Sequence, residues 1–150
     1  MKIVKAMKKI ARLKGEIKEI KNRITCSLNT IVGNEFEEDL ETLSHQQDEK
    51  IEEIVKLKIG VMTANIKYNM FAKIVMLGEL KSQMDFIKEL EPKTGVQENR
   101  YNESKTEYKT QMTKADKNVL IDRCQKLINE LTDALDDFNA KTDIEDVVVQ

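Results

Sequence analysis

The residues whose types and spacing could do chemistry lie in two short stretches. Asn65, Lys67, Tyr68, Asn69 and Lys73 fall in the run NIKYNMFAK, and Arg100, Tyr101 and Lys105 fall in the polar run RYNESK. An asparagine that caps a helix leaves first-turn amides facing outward, and free amides with lysines around them attract a small anion. Tyrosine adds a face on which a base can stack, and arginine adds a fork that fits a phosphate. The ligand this set implies is a small anionic nucleotide, cradled near residues 65–73 and closed over by Arg100, Tyr101 and Lys105. The plainer reading of the same residues is ordinary helix capping beside a solvated loop, because asparagine caps and surface lysines are common.

Catalytic chemistry finds no foothold. His45 is the one histidine, and it sits in SHQQDEK, a run that reads as solvated, with no nucleophile placed near it by sequence. Adjacent acids such as Glu37/Glu38, Glu52/Glu53 and Asp136/Asp137 point about 100° apart on a helix and do not converge. The inward Glu-x-x-His pairs of a carboxylate metal site do not occur. Cys26 and Cys124 lie far apart without metal-ligand spacing and read as reduced packing residues. The glycines at 15, 33, 60, 78 and 95 are isolated, so no phosphate-cradling loop exists. No catalytic residue, metal ligand or cofactor is therefore expected, and the chain reads as a non-enzyme.

Something must position the two stretches, and the composition says what. The chain has 150 residues, of which 35% are charged and 5% aromatic, with one proline and no tryptophan. That profile describes long exposed helices around a thin core, in one domain spanning 1–150. No run is long and apolar enough to span a membrane, and MKIVKAMKK leads into charged sequence without a small-residue cleavage site, so a cytoplasmic protein is expected. The net charge of −2 hides segregation: residues 1–23 hold nine Lys/Arg against two acids, a local +7. Residues 35–53 are a local −8 and residues 130–150 a local −6, so the basic segment has acidic neighbours in its own chain. Nucleic acid is not an expected partner, because residues 1–35 carry no aromatic on which a base could stack.

The first segment sets Ile3, Ile10, Ile17, Ile24 and Ile31 seven residues apart, with Ala6, Leu13 and Ile20 between them: a heptad seam over a helix of about 2–31. Gly33-Asn34 supplies the stop. The second helix is expected at about 37–66, with apolar positions at Leu40, Leu43, Ile51, Ile54, Val55, Ile59, Met62 and Ile66, and a break is expected across Thr63–Asn69. The third helix, about 68–90, carries Ile74, Leu77, Leu80, Met84, Ile87 and Leu90, and must end before Pro92. Residues 92–113 form a polar insertion, either a loop or a marginal β-hairpin whose better strand is Glu107–Met112. Thr113-x-x-Asp116 resembles a helix-opening cap. The fourth helix, about 114–139, shows Ile121, Cys124, Ile128, Leu131, Leu135 and Phe138 as a second ladder. The terminal VVVQ is expected to fray.

The stretch KIGVMTANIKYNMFAKIVMLGELKSQMDFIKEL, the PKTG turn, the opening KAMKKIARLKGEI and the terminal LDDFNAKTDIE together resemble the small bacterial helical proteins called septicolysin-like, a family of unknown function. The resemblance covers most of the chain in order and implies a helical fold. It departs at the break, where this chain reads Met62-Thr63-Ala64-Asn65-Ile66-Lys67. The family label implies a membrane-active toxin, whereas nothing in this chain provides a membrane-spanning hairpin.

These observations predict an all-α, antiparallel helical bundle of long coiled-coil-like helices. Narrow two-residue stripes bury less than a full globular face, so a second copy of the chain is expected to close them. The expected oligomer seam is Ile3, Ile10, Ile17 and Ile24 with Ile121, Ile128 and Leu135. The function expected is that of a non-enzymatic oligomeric interaction protein of bacterial or phage origin, in keeping with its Lys/Ile/Asn-rich composition. One alternative is a phage-type anti-defence sponge that sequesters a nucleotide-derived signal at an inter-subunit pocket. The other is a nucleic-acid-binding coiled coil.

Overall fold

A stripe of small and branched apolar residues on one face, with lysines on the other, makes the first segment helical, and in the computed structural model it forms α1, Ile3–Ser27. The structure describes residues 1–98, 100–101 and 104–145. Ile3 and Ala6 are fully buried and Leu13 and Ile20 nearly so, while Ile10, Ile17 and Ile24 are half-buried, which is the predicted heptad phase. The helix stops short of the expected residue 31. Ser27, Asn29, Thr30, Ile31 and Val32 are weak helix formers, and no neighbour rewards extension, with Ile31 75% and Val32 101% exposed. Gly33 still makes the turn, at φ 97°, but several residues beyond the helix end. Cys26, expected to pack, is exposed on the last turn of α1.

Asp39 caps the next helix, α2, Leu40–Lys67: its carboxylate accepts from the Thr42 amide at 2.8 Å and the Thr42 hydroxyl at 2.7 Å. The two helices pack through Ala6, Leu13, Ile54 and Leu57, flanked by Ile10, Ile17, Val61 and Ile144. Across this seam Lys50 pairs with Glu16 at 2.6 Å, in the reverse sense to the charge segregation, and Lys9 pairs with Glu53 in the expected sense. Arg23 of α1 likewise forks onto Glu38, just ahead of α2.

α2 ends in a Schellman turn. Asn69 takes the left-handed conformation at φ 57°; its amide donates to Ile66 O at 3.0 Å and the Met70 amide donates to Asn65 O at 2.7 Å. The expected break is thus a full helix end, and it falls at the residues expected to hold it.

The third helix, α3, spans Phe71–Glu89, and buries Met84 and Ile87, whereas Ile74 is exposed. A two-stranded antiparallel hairpin follows, β1 Gly95–Glu98 and β2 Lys105–Tyr108, with Gly95 opposite Tyr108 and Glu98 opposite Lys105. The second strand overlaps the expected 107–112 but starts earlier and ends at Tyr108, because Thr110 folds back locally: its hydroxyl donates to Met112 O at 2.7 Å and accepts from the Met112 amide at 3.2 Å. The capping box then forms as expected. The Asp116 amide donates to the Thr113 hydroxyl at 3.1 Å, and the Thr113 amide donates to the Asp116 carboxylate at 2.9 Å. It opens α4, Lys114–Lys141, whose ladder runs through half-buried Ile121, Cys124, Leu131 and Phe138 and buried Ile128 and Leu135.

Four helices and one small hairpin make this the all-α architecture the sequence pattern predicts. The chain divides into two compact units, Met1–Met70 with Asp136–Gln150, and Phe71–Leu135. In the first, residues 142–145 run beside the start of α1: the Ile3 amide donates to Thr142 O at 2.9 Å and the Ile144 amide donates to Met1 O at 2.8 Å. Ile144 packs against Gly60, where an added Cβ would come within 3.3 Å of Ile144 Cβ and Glu145 O. Lys2 pairs with Asp143 at 2.7 Å, and Lys67 with Glu145. The last four residues, expected to fray, lie outside the described residues.

Candidate functional site

Among the residues expected to hold an anion, Asn65, Lys67, Tyr68 and Asn69 belong to the first unit. Asn69 closes α2 instead of opening α3, so the expected cap is at the wrong end of a helix: its left-handed backbone serves the carbonyls of α2, and presents no ring of free amides. Lys67 is held by the Glu145 carboxylate, which keeps its ammonium pKa above the usual lysine range and that of Glu145 below the usual carboxylate range. The Tyr68 ring meets Phe138 edge-on at 5.7 Å, with the Lys67 ammonium 5.8 Å from its centroid. The enclosed space beside Lys67 and Tyr68 is about 10 Å³, room for at most one water. Asn65 Oδ1 is buried without a hydrogen-bond partner among the described residues.

Lys73, Arg100, Tyr101 and Lys105 belong to the second unit. Lys73 is half-buried on α3. Lys105 reaches its register partner Glu98 at 3.4 Å across the hairpin. Arg100 and the 94% exposed Tyr101 line an open cavity of about 430 Å³ with Gln97, Glu98, Thr106 and Tyr108.

Gln97 also lines a larger cavity of about 700 Å³, bounded by residues 90–93 and by Lys114, Lys117, Asn118 and Ile121 of α4. The sequence reading did not anticipate it. Lys117 is half-buried, and its ammonium donates to Lys88 O and to Leu90 O, each at 2.7 Å, satisfying carbonyls that the end of α3 leaves open. Lys93 lies over the Tyr108 ring, 5.7 Å from its centroid. Lys114 and Lys117 open α4, far in sequence from Pro92 and Lys93 with the hairpin between, and that separation carries no sequence signature that marks a cavity.

The residues expected to form an inter-chain seam are largely covered within the chain. Ile10 and Ile17 pack with α2 and Ile144, and Ile3, Ile128 and Leu135 are buried. Among the large apolar residues left exposed, Ile51, Val55, Ile59, Met62 and Ile66 of α2 are between 38% and 59% exposed. At about 100° per residue these five share one stripe, roughly opposite the Leu43, Ile54, Leu57, Ala64 stripe that meets α1. His45 is exposed and stands 3.4 Å from Glu49 on its own helix. Among the described residues no three His, Cys, Asp or Glu side chains converge as metal ligands, and no helix is long and apolar enough to cross a membrane.

These features define a small all-helical protein carrying one polar hairpin. A solved structure of similar fold is a functionally unknown conserved protein from Corynebacterium diphtheriae, with a TM-score of 0.63 and 14% sequence identity over 97% of this chain and 99% of that one. At that identity the likeness is one of fold. No protein-family model and no curated protein matches the chain.

Proposed function

We propose that the protein is a non-catalytic helical interaction protein that assembles with a second copy of itself through the outer stripe of α2. The observation that carries this reading is that α2 is apolar on two faces, one already packed on α1 and one left open at Ile51, Val55, Ile59, Met62 and Ile66. A helix with apolar residues on opposite sides is stable in water only when both sides are covered.

Charge supports a second copy as the cover. The first half of α2 and its approach are acidic, with Asp48, Glu49, Glu52 and Glu53, whereas Ile54–Gly78 carries Lys56, Lys58, Lys67 and Lys73 and no carboxylate. Two copies laid antiparallel about Ile59 set the acidic half of each against the basic half of the other; a parallel pair would oppose like charges. A place among septicolysin-like helical proteins is compatible with this reading, and the resemblance adds no catalytic role.

Native mass spectrometry and light scattering test it. The wild-type chain is expected to be a dimer, and Val55→Glu with Ile59→Glu a monomer of unchanged helicity, because both side chains lie away from α1. A wild-type monomer at high concentration, or a double variant of unchanged mass, would overturn the reading.

A further inference from the structure

The geometry points to a binding site for a small phosphorylated organic molecule in the cavity of about 700 Å³ between residues 90–93 and the first turns of α4. The site lies wholly in the second unit and does not depend on self-assembly through α2.

The volume falls in the range of small-molecule sites. Its walls are of two kinds. Leu90, Pro92 and Ile121 give an apolar side, and Lys93, Lys114 and Lys117 bring three cations to the same space, where Glu91 is the one carboxylate among the described lining residues. Some of the chain's lysines are neutralised: Lys2, Lys9, Lys50, Lys56, Lys67, Lys105 and Lys141 each have a carboxylate partner. Neither Lys93 nor Lys114 forms an ion pair among the described residues. Lys117 is fixed in place by two backbone carbonyls, which use two of the three donors of its ammonium and leave one. Three cations around one cavity repel one another, and a bound dianion would offset that repulsion.

The residue type selects the anion. An arginine fork suits a planar carboxylate, whereas ammonium groups act as point charges that can meet a tetrahedral phosphate from several sides. The start of α4 adds little beyond its dipole, because Thr113 and Asp116 already cap it. The apolar wall calls for an organic body attached to the phosphate, and inorganic phosphate would leave it unused.

The test is a titration of the isotope-labelled full chain with AMP, adenosine and inorganic phosphate, followed by amide chemical shifts. AMP is expected to give saturable shifts confined to residues 90–97 and 114–121, adenosine none, and inorganic phosphate weaker binding at the same amides. Lys93→Gln with Lys114→Gln, which spares the Lys117 contacts to α3, is expected to weaken AMP at least about tenfold, equivalent to about 1.4 kcal/mol, with helicity unchanged by circular dichroism. The proposal is overturned by any of four results: no saturable AMP shift, shifts centred elsewhere, adenosine binding as tightly as AMP, or full AMP affinity in the double variant. Phosphate alone binding as tightly as AMP would overturn it as well, leaving only an oxyanion site. Because the α2 variants and these lysine variants are read by different measurements, either can fail without the other.

Discussion

Asn69 separates two accounts of the break between α2 and α3. If its side chain capped α3, serine would replace it without loss, since Asn, Asp and Ser are equivalent at that position and alanine costs about 1 kcal/mol. In the structure its backbone sits at φ 57° and closes α2, so what matters is tolerance of the left-handed region. There an ordinary L-residue is strained by roughly 1–2 kcal/mol, a cost that asparagine partly escapes and glycine avoids. Asn69→Ser and Asn69→Ala should therefore be destabilising alike, each by about 1 kcal/mol, and Asn69→Val by nearer 2 kcal/mol. Asn69→Gly should be close to neutral, its relief of strain offset by the greater freedom of the unfolded chain. In a chain of 150 residues, 1 kcal/mol moves the thermal midpoint by about 2–4 °C, which far-ultraviolet circular dichroism resolves. A serine variant as stable as wild type, with alanine well below it, would refute the Schellman assignment and restore the capping role that the sequence suggested.

Two further outcomes test the first unit. Leu13→Ala, at a site 2% exposed between α1 and α2, should cost about 2–5 kcal/mol in urea denaturation, whereas Ile31→Ala, at 75% exposure, should stay within about 0.5 kcal/mol; equal effects would mean that the heptad seam does not end at Ser27. Acid should release residues 142–145. Asp143 is held below its ordinary 3.8 chiefly by the hydrogen bond from Lys2, and Glu145 below its ordinary 4.5 chiefly by that from Lys67. A lowered folded-state pKa contributes stability that is complete above the ordinary value and lost as pH falls through the lowered one. Hydrogen-exchange protection of the Ile3 and Ile144 amides should therefore decline below those values, and protection undiminished down to about pH 2 would show that the ion pairs do not hold the segment.

The ladders of α1 and α4 were legible because each helix carries one narrow apolar stripe, so the heptad spacing has a single phase. The Thr113–Asp116 box and the stop before Pro92 were legible because capping and proline sterics are local. The core phase of α2 was not. Its apolar residues fall on two faces, and beyond Leu43, Ile54 and Leu57 the inner one is completed by Gly60 and Ala64 together with half-buried Gln47 and Lys50. Small and polar residues carry little hydropathy, so the sequence signal came mainly from the outer stripe. The hairpin falls in the expected insertion, but the bounds of its second strand were not legible, for a similar reason: all eight strand positions are exposed, and a strand that buries nothing leaves no alternation to read.

The candidate site was hidden by a different cause. The eight residues first singled out are close in sequence within each stretch, but charge pairing decides which cations are available, and pairing is long-range. Lys67 is taken by Glu145, 78 positions away, and the chain spends Asp143 on Lys2 in the same way. What sequence spacing offers as an anion cradle is thus largely neutralised once the C-terminal segment is in place. Lys93, Lys114 and Lys117 gain their interest by the converse: among the described residues no carboxylate pairs with the first two, and the third is fixed by carbonyls that leave its charge intact. Uncompensated charge beside an apolar wall is a property of the folded chain's whole pattern of pairing, which is why it becomes visible only when each partner has been placed.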